Sequence, residues 1–332
     1  MSTFLDRKGR NLERLNKEIT NMKKGSIAVI GQGFVGGSLT TVMSERGFDV
    51  YAYDKAGKYT KGSLPSHGDA VAGYPNSIRE LIEDNEGGGT PEFSNVYFVC
   101  LPTPMFEDGS ADLSIVEGAL DELAAVPGER IAVVKSTVPP GSTERWNRKY
   151  ESTGLRIVFN PEFLTEANAL DDMRNQNRIV LGGPRPWINT VKQIFQTAFP
   201  KVPLIKTSST TAEMVKYLTN NFLTVKVAFA NEIAQVCEAL DKSGLSVDYD
   251  KVVEYAKYDP RLGESHWAVP GPDGHFGFGG SCFVKDINAM TFVADKLGID
   301  TPVMDGAWKK NLEVRPERDW EKLVGRAVSK KG

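Results

Sequence analysis

The chain has 332 residues, enough for two domains. Its 40% hydrophobic and 25% charged residues are those of an ordinary globular protein, which excludes collagen-like, coiled-coil and wholly disordered chains. A net charge of −3 argues against a nucleic-acid binder, and three scattered cysteines (100, 237, 282) with three histidines make neither a disulfide framework nor a zinc knuckle, so no metal is expected.

Residues 1–25 carry seven Lys/Arg against three Asp/Glu, a local charge of +4. Leu12, Leu15, Ile19 and Met22 recur at helical spacing, so 1–24 reads as a basic helical extension lying on its own protein or on a neighbouring subunit. The start lacks the apolar core of a secretion signal, and no run approaches the ~18 apolar residues of a membrane span. The expected compartment is the cytoplasm, with no membrane partner. From Ser26 the pattern alternates. Short apolar runs at 26–30, 49–54, 96–101, 131–134, 157–159, 179–181 and 202–205 are separated by helix-like segments. That alternation predicts an α/β fold, a Rossmann-type doubly wound parallel sheet with helices on both faces. Ligands of such sheets sit beyond the carboxyl ends of the strands.

The period changes at Thr211. Met214, Leu218, Phe222, Val225, Phe229, Ile233, Val236 and Leu240 recur at steps of three and four, with Leu223, Val227, Ala230 and Ala234 as a second apolar line. This predicts a buried spine helix over 211–242, roughly 45 Å long at 1.5 Å per residue, that joins two domains or two subunits. Helices then continue to Gly298 around a Gly/Pro-rich loop at 263–281, and 305–332 reads as one charged helix. The expected organisation is an extension (1–24), a Rossmann-like domain (25–208), an all-α central and dimerisation domain (209–300) and a helical tail (301–332).

Gly31-Gln32-Gly33-Phe34-Val35-Gly36 follows a strand and opens a helix, the setting in which a glycine fingerprint points to a dinucleotide. The glycines permit a tight turn and close approach of backbone to pyrophosphate, which then lies at a helix N-terminus. Asp54, 18 residues after Gly36, ends the second strand, where a carboxylate binds both ribose hydroxyls and repels a 2′-phosphate. NAD is therefore expected over NADP, although Lys55 and Lys58 stand nearby; Lys58 joins Phe34 and Val35 among the expected cofactor contacts. The second motif is Gly277-Phe278-Gly279-Gly280-Ser281-Cys282-Phe283-Val284-Lys285-Asp286. A cysteine between a glycine loop and a helix is open to a ligand, and the helix start and Lys285 would both favour its thiolate. Cys100, at a strand end, and Cys237, on the spine, read as inert core thiols.

These segments, with Leu101-Pro102-Thr103-Pro104, Lys135-Ser136-Thr137-Val138-Pro139-Pro140-Gly141, Asn160-Pro161-Glu162-Phe163-Leu164-Thr165-Glu166, and Lys216 with Asn220, occur in one order. In that order, over about residues 25–300, the chain resembles the UDP-glucose/GDP-mannose dehydrogenases. The resemblance implies oxidation of a sugar C6 hydroxyl to a carboxylate with two NAD. It makes Cys282 the nucleophile that forms a thiohemiacetal and then a thioester. Lys216 and Asn220 would hold the oxyanion, Asp286 would orient water or Lys216, and Glu162 would be the base, through water with Thr137. Thr103, Thr137 and Glu166 would meet the cofactor. Glu162, Phe163, Leu164, Glu166, Lys216, Asn220, Phe276, Gly277, Phe278 and Gly279 would meet the substrate. Arg261 matches an arginine that reaches the substrate of a neighbouring subunit, and equally reads as a surface arginine; a homodimer is expected.

Phe283 leans the substrate toward UDP-glucose, with GDP-mannose or a UDP-N-acetylhexosamine as alternatives. The family continues into a third, base-holding domain, and nothing after Asp300 has its strand–helix alternation. The expectation is reduced base recognition, a base site supplied by another chain, or a shortened lineage; a weakly active partner of a full-length enzyme is the reading from another class.

Overall fold

The computed structural model describes residues 24–57 and 71–330. The expected basic helix of 1–24 therefore lies, but for Lys24, outside the described residues. The chain forms two compact units.

The first unit takes the chain up to Leu101, then Val116–Ser136 and Gly141–Ala212. Its strands are β1 (Ser26–Ile30), β2 (Asp49–Tyr53), β3 (Val96–Val99), β4 (Arg130–Val134), β5 (Leu155–Phe159), β6 (Ile179–Gly182) and β7 (Leu204–Thr207). They line up as β2-β1-β3-β4-β5-β6-β7. Every neighbouring pair is parallel except β5 and β6, which meet antiparallel at Phe159 and Gly182. The expected doubly wound sheet is thus present, with one reversal that its short apolar runs did not announce. Helices cover it: α1 (Phe34–Glu45), α2 (Ile78–Gly87), α3 (Ser114–Ala125), α4 (Ser142–Lys149), α5 (Ala169–Arg174) and α6 (Trp187–Ala198). Because β1, β3 and β4 are buried along their whole length, their β-branched residues face apolar partners on both sides. Leu39, Val42 and Met43 of α1 close over Ile27, Val29 and Val50. Each such fully buried side chain contributes on the order of 1.5–3 kcal/mol. The strand order reverses between β1 and β3, and the loops after these two strands carry Gly31 and Cys100.

The second unit consists of Pro102–Ile115, Thr137–Pro140 and everything from Glu213. Two excursions out of the sheet, carrying Thr103 and Thr137, therefore belong with the helical part, where the sequence suggested one boundary near 208. The helices are α7 (Ser209–Lys242), α8 (Tyr249–Ala256), α9 (Cys282–Lys296) and α10 (Pro302–Val314). Met105, Ala228, Phe278, Val284, Ile287, Ala307, Trp320 and Ala327 make its core.

The long helix α7 is the expected spine, but its two faces differ from the expectation of burial. Leu218, Phe222 and Phe229 are 68%, 65% and 51% exposed, and Met214, Val236 and Leu240 share their face. The buried side of α7 mixes Tyr217, Ala228 and Ala230 with polar groups: Glu213, Lys216, Asn220, Thr224 and Asn231. The expected single helix over 305–332 is also corrected. The helix ends at Val314 because Pro316 disfavours helical backbone at Arg315, which lies at φ −128° and ψ 64°. A short 3-10 turn at Asp319–Lys322 follows, then a second turn in which Leu323 O accepts from the backbone N–H groups of Arg326, Ala327 and Val328. Among the described residues, no helix is long and apolar enough to cross a membrane.

Candidate active site

In the first unit, β1 ends at Ile30 and the chain turns at Gly31, whose φ of +88° favours glycine. A β-carbon on Gly31 would lie 2.5 Å from the Cys100 carbonyl oxygen, and one on Gly36 would lie 1.8 Å from the Gly31 carbonyl oxygen. These two positions let strand and helix touch. Gly33 is different: a β-carbon there would have nothing within 4 Å. The space above Gly33 is open where Phe34 and Val35 begin α1, and the first turn of α1 holds no acid that would repel phosphate. Asp54 stands beyond β2. One of its carboxylate oxygens accepts from Gln32 N at 2.8 Å, the other from Ala56 N at 2.8 Å. Each oxygen keeps lone-pair capacity for a ribose hydroxyl. The open space at Gly33 and the fixed carboxylate of Asp54 fit a dinucleotide. Lys58 lies outside the described residues.

The same unit holds Glu162, which is buried, with Lys135 Nζ 2.8 Å from its Oε2 and Phe163 N donating to its Oε1 at 2.9 Å. Lys135 also donates to Asn160 Oδ1 at 2.7 Å. The pairing of Glu162 with a buried lysine from 27 positions earlier has no local sequence signature. Phe163 lies under the Arg178 guanidinium at 4.0 Å, Leu164 leans on the core, and Glu166 is exposed on the following loop. Burial pushes the Cys100 thiol up to about 12, with a smaller downward pull from Lys135 and an upward push from Glu162. A thiol that stays protonated at neutral pH suits the inert role given to Cys100.

In the second unit, the Thr103 hydroxyl donates to the Thr137 carbonyl at 2.8 Å and joins the two excursions. Cys282 is the first residue of α9 and is exposed, as its place between a glycine loop and a helix suggested. The positive end of the α9 dipole acts on its sulfur. One turn on, Asp286 is 1% exposed. Asn220 Nδ2 donates to its Oδ2 at 2.5 Å, and Lys285 Nζ pairs with its Oδ1. Lys285 therefore serves Asp286 rather than the thiol. Lys216 and Asn220 lie one turn apart on α7, both buried. Burial, followed by the charges of Asp286 and Glu213, drives the Tyr217 hydroxyl far above its usual range, so it remains a neutral phenol. Phe283, read earlier as a specificity hint, packs edge-on against Phe278 and beside the His266 ring.

The loop before Cys282 divides by depth. Phe276 is exposed, whereas Phe278 is buried in the core. Arg261 is exposed, and its Nε lies 2.9 Å from both oxygens of Asp259. Thus Cys282, Asp286, Asn220 and Lys216 belong to one unit with Thr103 and Thr137, and Gly31–Gly36, Asp54, Glu162 and Glu166 to the other.

Comparison with known proteins bears on both units. Residues 25–199 match the UDP-glucose/GDP-mannose dehydrogenase family's NAD-binding domain, and residues 210–313 match its central domain. The putative UDP-glucose 6-dehydrogenase YtcA of Bacillus subtilis is 33% identical, over 83% of this chain and 64% of its own length. The UDP-glucose 6-dehydrogenase AglM of Haloferax volcanii is 31% identical, over 88% and 70%. The solved structure of a UDP-glucose dehydrogenase from Pyrobaculum islandicum superposes with a TM-score of 0.73 at 29% identity, over 88% of this chain and 69% of that one. The chain spans about two thirds of the length of such relatives. With an NAD-binding sheet unit, a cysteine-bearing helical unit and two matched domains covering most of its length, the chain belongs to the UDP-glucose/GDP-mannose dehydrogenase family.

Proposed function

We propose that this protein oxidises the C6 hydroxyl of a nucleotide sugar to the carboxylate, with UDP-glucose as substrate and UDP-glucuronate as product. The observation that carries the reading is an exposed Cys282 at the start of α9, one turn from a buried Asp286 that is bonded to Asn220 and Lys285. Gly31–Gly36 and Asp54 would hold NAD, which would supply the hydride acceptor for each oxidation, one molecule per step. Glu162 takes the C6 hydroxyl proton through water. The Cys282 sulfur then adds to the aldehyde carbon, and Lys216 and Asn220 hold the oxygen on which charge develops. Loss of the second hydride from C6 and of the proton from its hydroxyl leaves a thioester on Cys282. Asp286 orients the water that cleaves it, releasing acid and free thiol. A covalent link keeps the aldehyde from escaping between the oxidations. The activity would give the cytoplasm a nucleotide uronic acid for polysaccharide synthesis. The test is NADH formation with NAD and a panel of nucleotide sugars. UDP-glucose should give two NADH per acid, and no NADH with any of them would end the reading.

The cofactor site makes its own prediction. Asp54→Ala should weaken NAD and narrow the preference over NADP, because the carboxylate that repels a 2′-phosphate is gone. Binding titrations of both cofactors decide it, and equal affinities in the native protein would remove this role for Asp54.

The exposed face of α7 supports a homodimer in which a second copy covers Leu218, Phe222 and Phe229. Arg261 would then serve the neighbouring site. Phe222→Glu places a charge in that interface and should convert the dimer to a folded monomer in light scattering. A native protein that is monomeric at micromolar concentration would remove both the dimer and this role of Arg261.

A further inference from the structure

The segment Phe276–Gly280 has no regular secondary structure, and buried side chains hold its backbone instead. Gly277 N donates to Asn231 Oδ1 on α7 at 3.1 Å. Asn311 on α10 accepts from Phe278 N at 2.7 Å and donates to Phe278 O at 2.9 Å. Arg315, just past α10 and 2% exposed, donates to Phe276 O at 3.4 Å. Its guanidinium also grips Asp319 through Nε at 2.6 Å and Nη2 at 3.0 Å, and Asp273 at 2.8 Å. The fit leaves no slack: a β-carbon on Gly279 would lie 2.3 Å from Arg315 Nη2. Asp319 is tied down in turn. Its neighbour Trp320 is buried against Trp308 at 5.4 Å. Beyond it, Ala327 O accepts from Met105 N at 2.9 Å, and Ser329 Oγ donates to Asp112 at 2.6 Å. Arg315, Asp319 and Trp320 all lie past residue 313, where the matched central domain ends.

We propose that Arg315, braced by Asp319, is a positioning residue for Cys282, fixing the Phe276–Gly280 backbone and so the place where the sulfur meets the aldehyde carbon. The inference rests on the reading of Cys282 as nucleophile. Gly277 and Gly280, at φ +67° and +69°, give the loop no stiffness of its own, so its order must come from outside. A buried guanidinium is costly to desolvate and adds little stability against an apolar replacement. What it supplies here is geometry, since its planar fork bonds two carboxylates and a carbonyl at once. The step that needs this geometry forms the Sγ–C6 bond as the S–H and carbonyl π bonds break, the carbonyl oxygen taking the π electron pair and the proton given up by the thiol. If the thiol is misplaced, the aldehyde leaves before capture.

The test uses the full chain with Arg315→Lys, which keeps the charge and loses the fork, and Asp319→Asn, a change at a partly exposed site that leaves Arg315 in place. Two readouts are taken: NADH formed per acid, and the rate of Cys282 alkylation by iodoacetamide followed by mass spectrometry. Both variants should exceed two NADH per acid and release aldehyde that hydroxylamine traps. Acid formation should fall by about tenfold to a hundredfold in Arg315→Lys, with little change in KM, and alkylation rates should depart from the native value. Trp320→Phe, which loosens the same segment without touching the fork, should lower Tm and keep the ratio at two. Native ratios and native alkylation rates in both variants would overturn the inference. If the native protein makes no NADH from any nucleotide sugar, the proposed reaction fails; the alkylation comparison then decides the positioning role, and unchanged rates overturn it.

Discussion

Cys282→Ala is expected to abolish acid formation while NAD binding stays at the native level. The sulfur is the only group on α9 that can carry the sugar between two oxidations in this reading, and alanine forms no bond to the aldehyde. The first oxidation does not use the thiol, so a slow yield of one NADH and free aldehyde can persist. Cys282→Ser should behave in the same way, since the serine alkoxide is scarcely populated at neutral pH. Cys100→Ser and Cys237→Ser, which alter half-buried and buried thiols, should change stability and leave the chemical step alone. Mass spectrometry of enzyme mixed with substrate should find a sugar adduct on the native chain and none on Cys282→Ala. Undiminished acid from Cys282→Ala would end the thioester route.

Asp286→Asn should cost both stability and turnover. The carboxylate is 1% exposed, and the Lys285 side chain that faces it is 12% exposed. Neutralising one partner of so enclosed a pair leaves an ammonium without its counter-charge, an effect of about 3 kcal/mol. A lower urea midpoint with an unchanged slope reads this out. Acid formation should fall further than stability explains, because an asparagine keeps only one of the two acceptor oxygens that the Asn220 amide and the Lys285 ammonium now use separately. The double variant Lys285→Met/Asp286→Leu separates the two effects. Removing both charges should restore stability and leave the chain inactive. An Asp286→Asn protein with native stability and native turnover would show that Asp286 is an ordinary structural acid.

Much of this arrangement was legible before the structure. Ser26–Ile30 stood out as a strand because an apolar run buried on both faces has no polar alternation, and it ended in glycines that only a turn explains. The spine was legible because 34 residues of α7 keep one period. The open face of that helix was not, since an apolar stripe looks the same whether its own chain or another covers it. The tail was misread beyond Val314 because its charge pattern outweighed Pro316, the one residue that stops the helix. The exposure of Cys282 at a helix start was legible from its neighbours in sequence. Asn231, Asn311 and Arg315 were not: two hold the loop from distant helices and the third from just past one, and a side chain that bonds backbone far along the chain leaves no spacing to read. Lys135 beside Glu162 was hidden for the same reason.

The two excursions that leave the sheet unit have a consequence for how the protein is made. The chain changes unit after Leu101, Ile115, Ser136, Pro140 and Ala212, five times in all. No single cut yields one complete unit, so neither half can be expressed as a self-sufficient fragment. On the ribosome the helical unit receives its Thr103 and Thr137 segments long before their neighbours exist. The Ser329–Asp112 bond closes only when residues 217 positions apart are both synthesised. Loop closure over such a span adds little to the equilibrium cost, because that cost grows only as the logarithm of length. Its weight falls on rate, since distant pairings slow folding. The Pro102–Ile115 segment must wait, partly unpaired, for the last residues of the chain, and during that wait its unpaired backbone is open to aggregation.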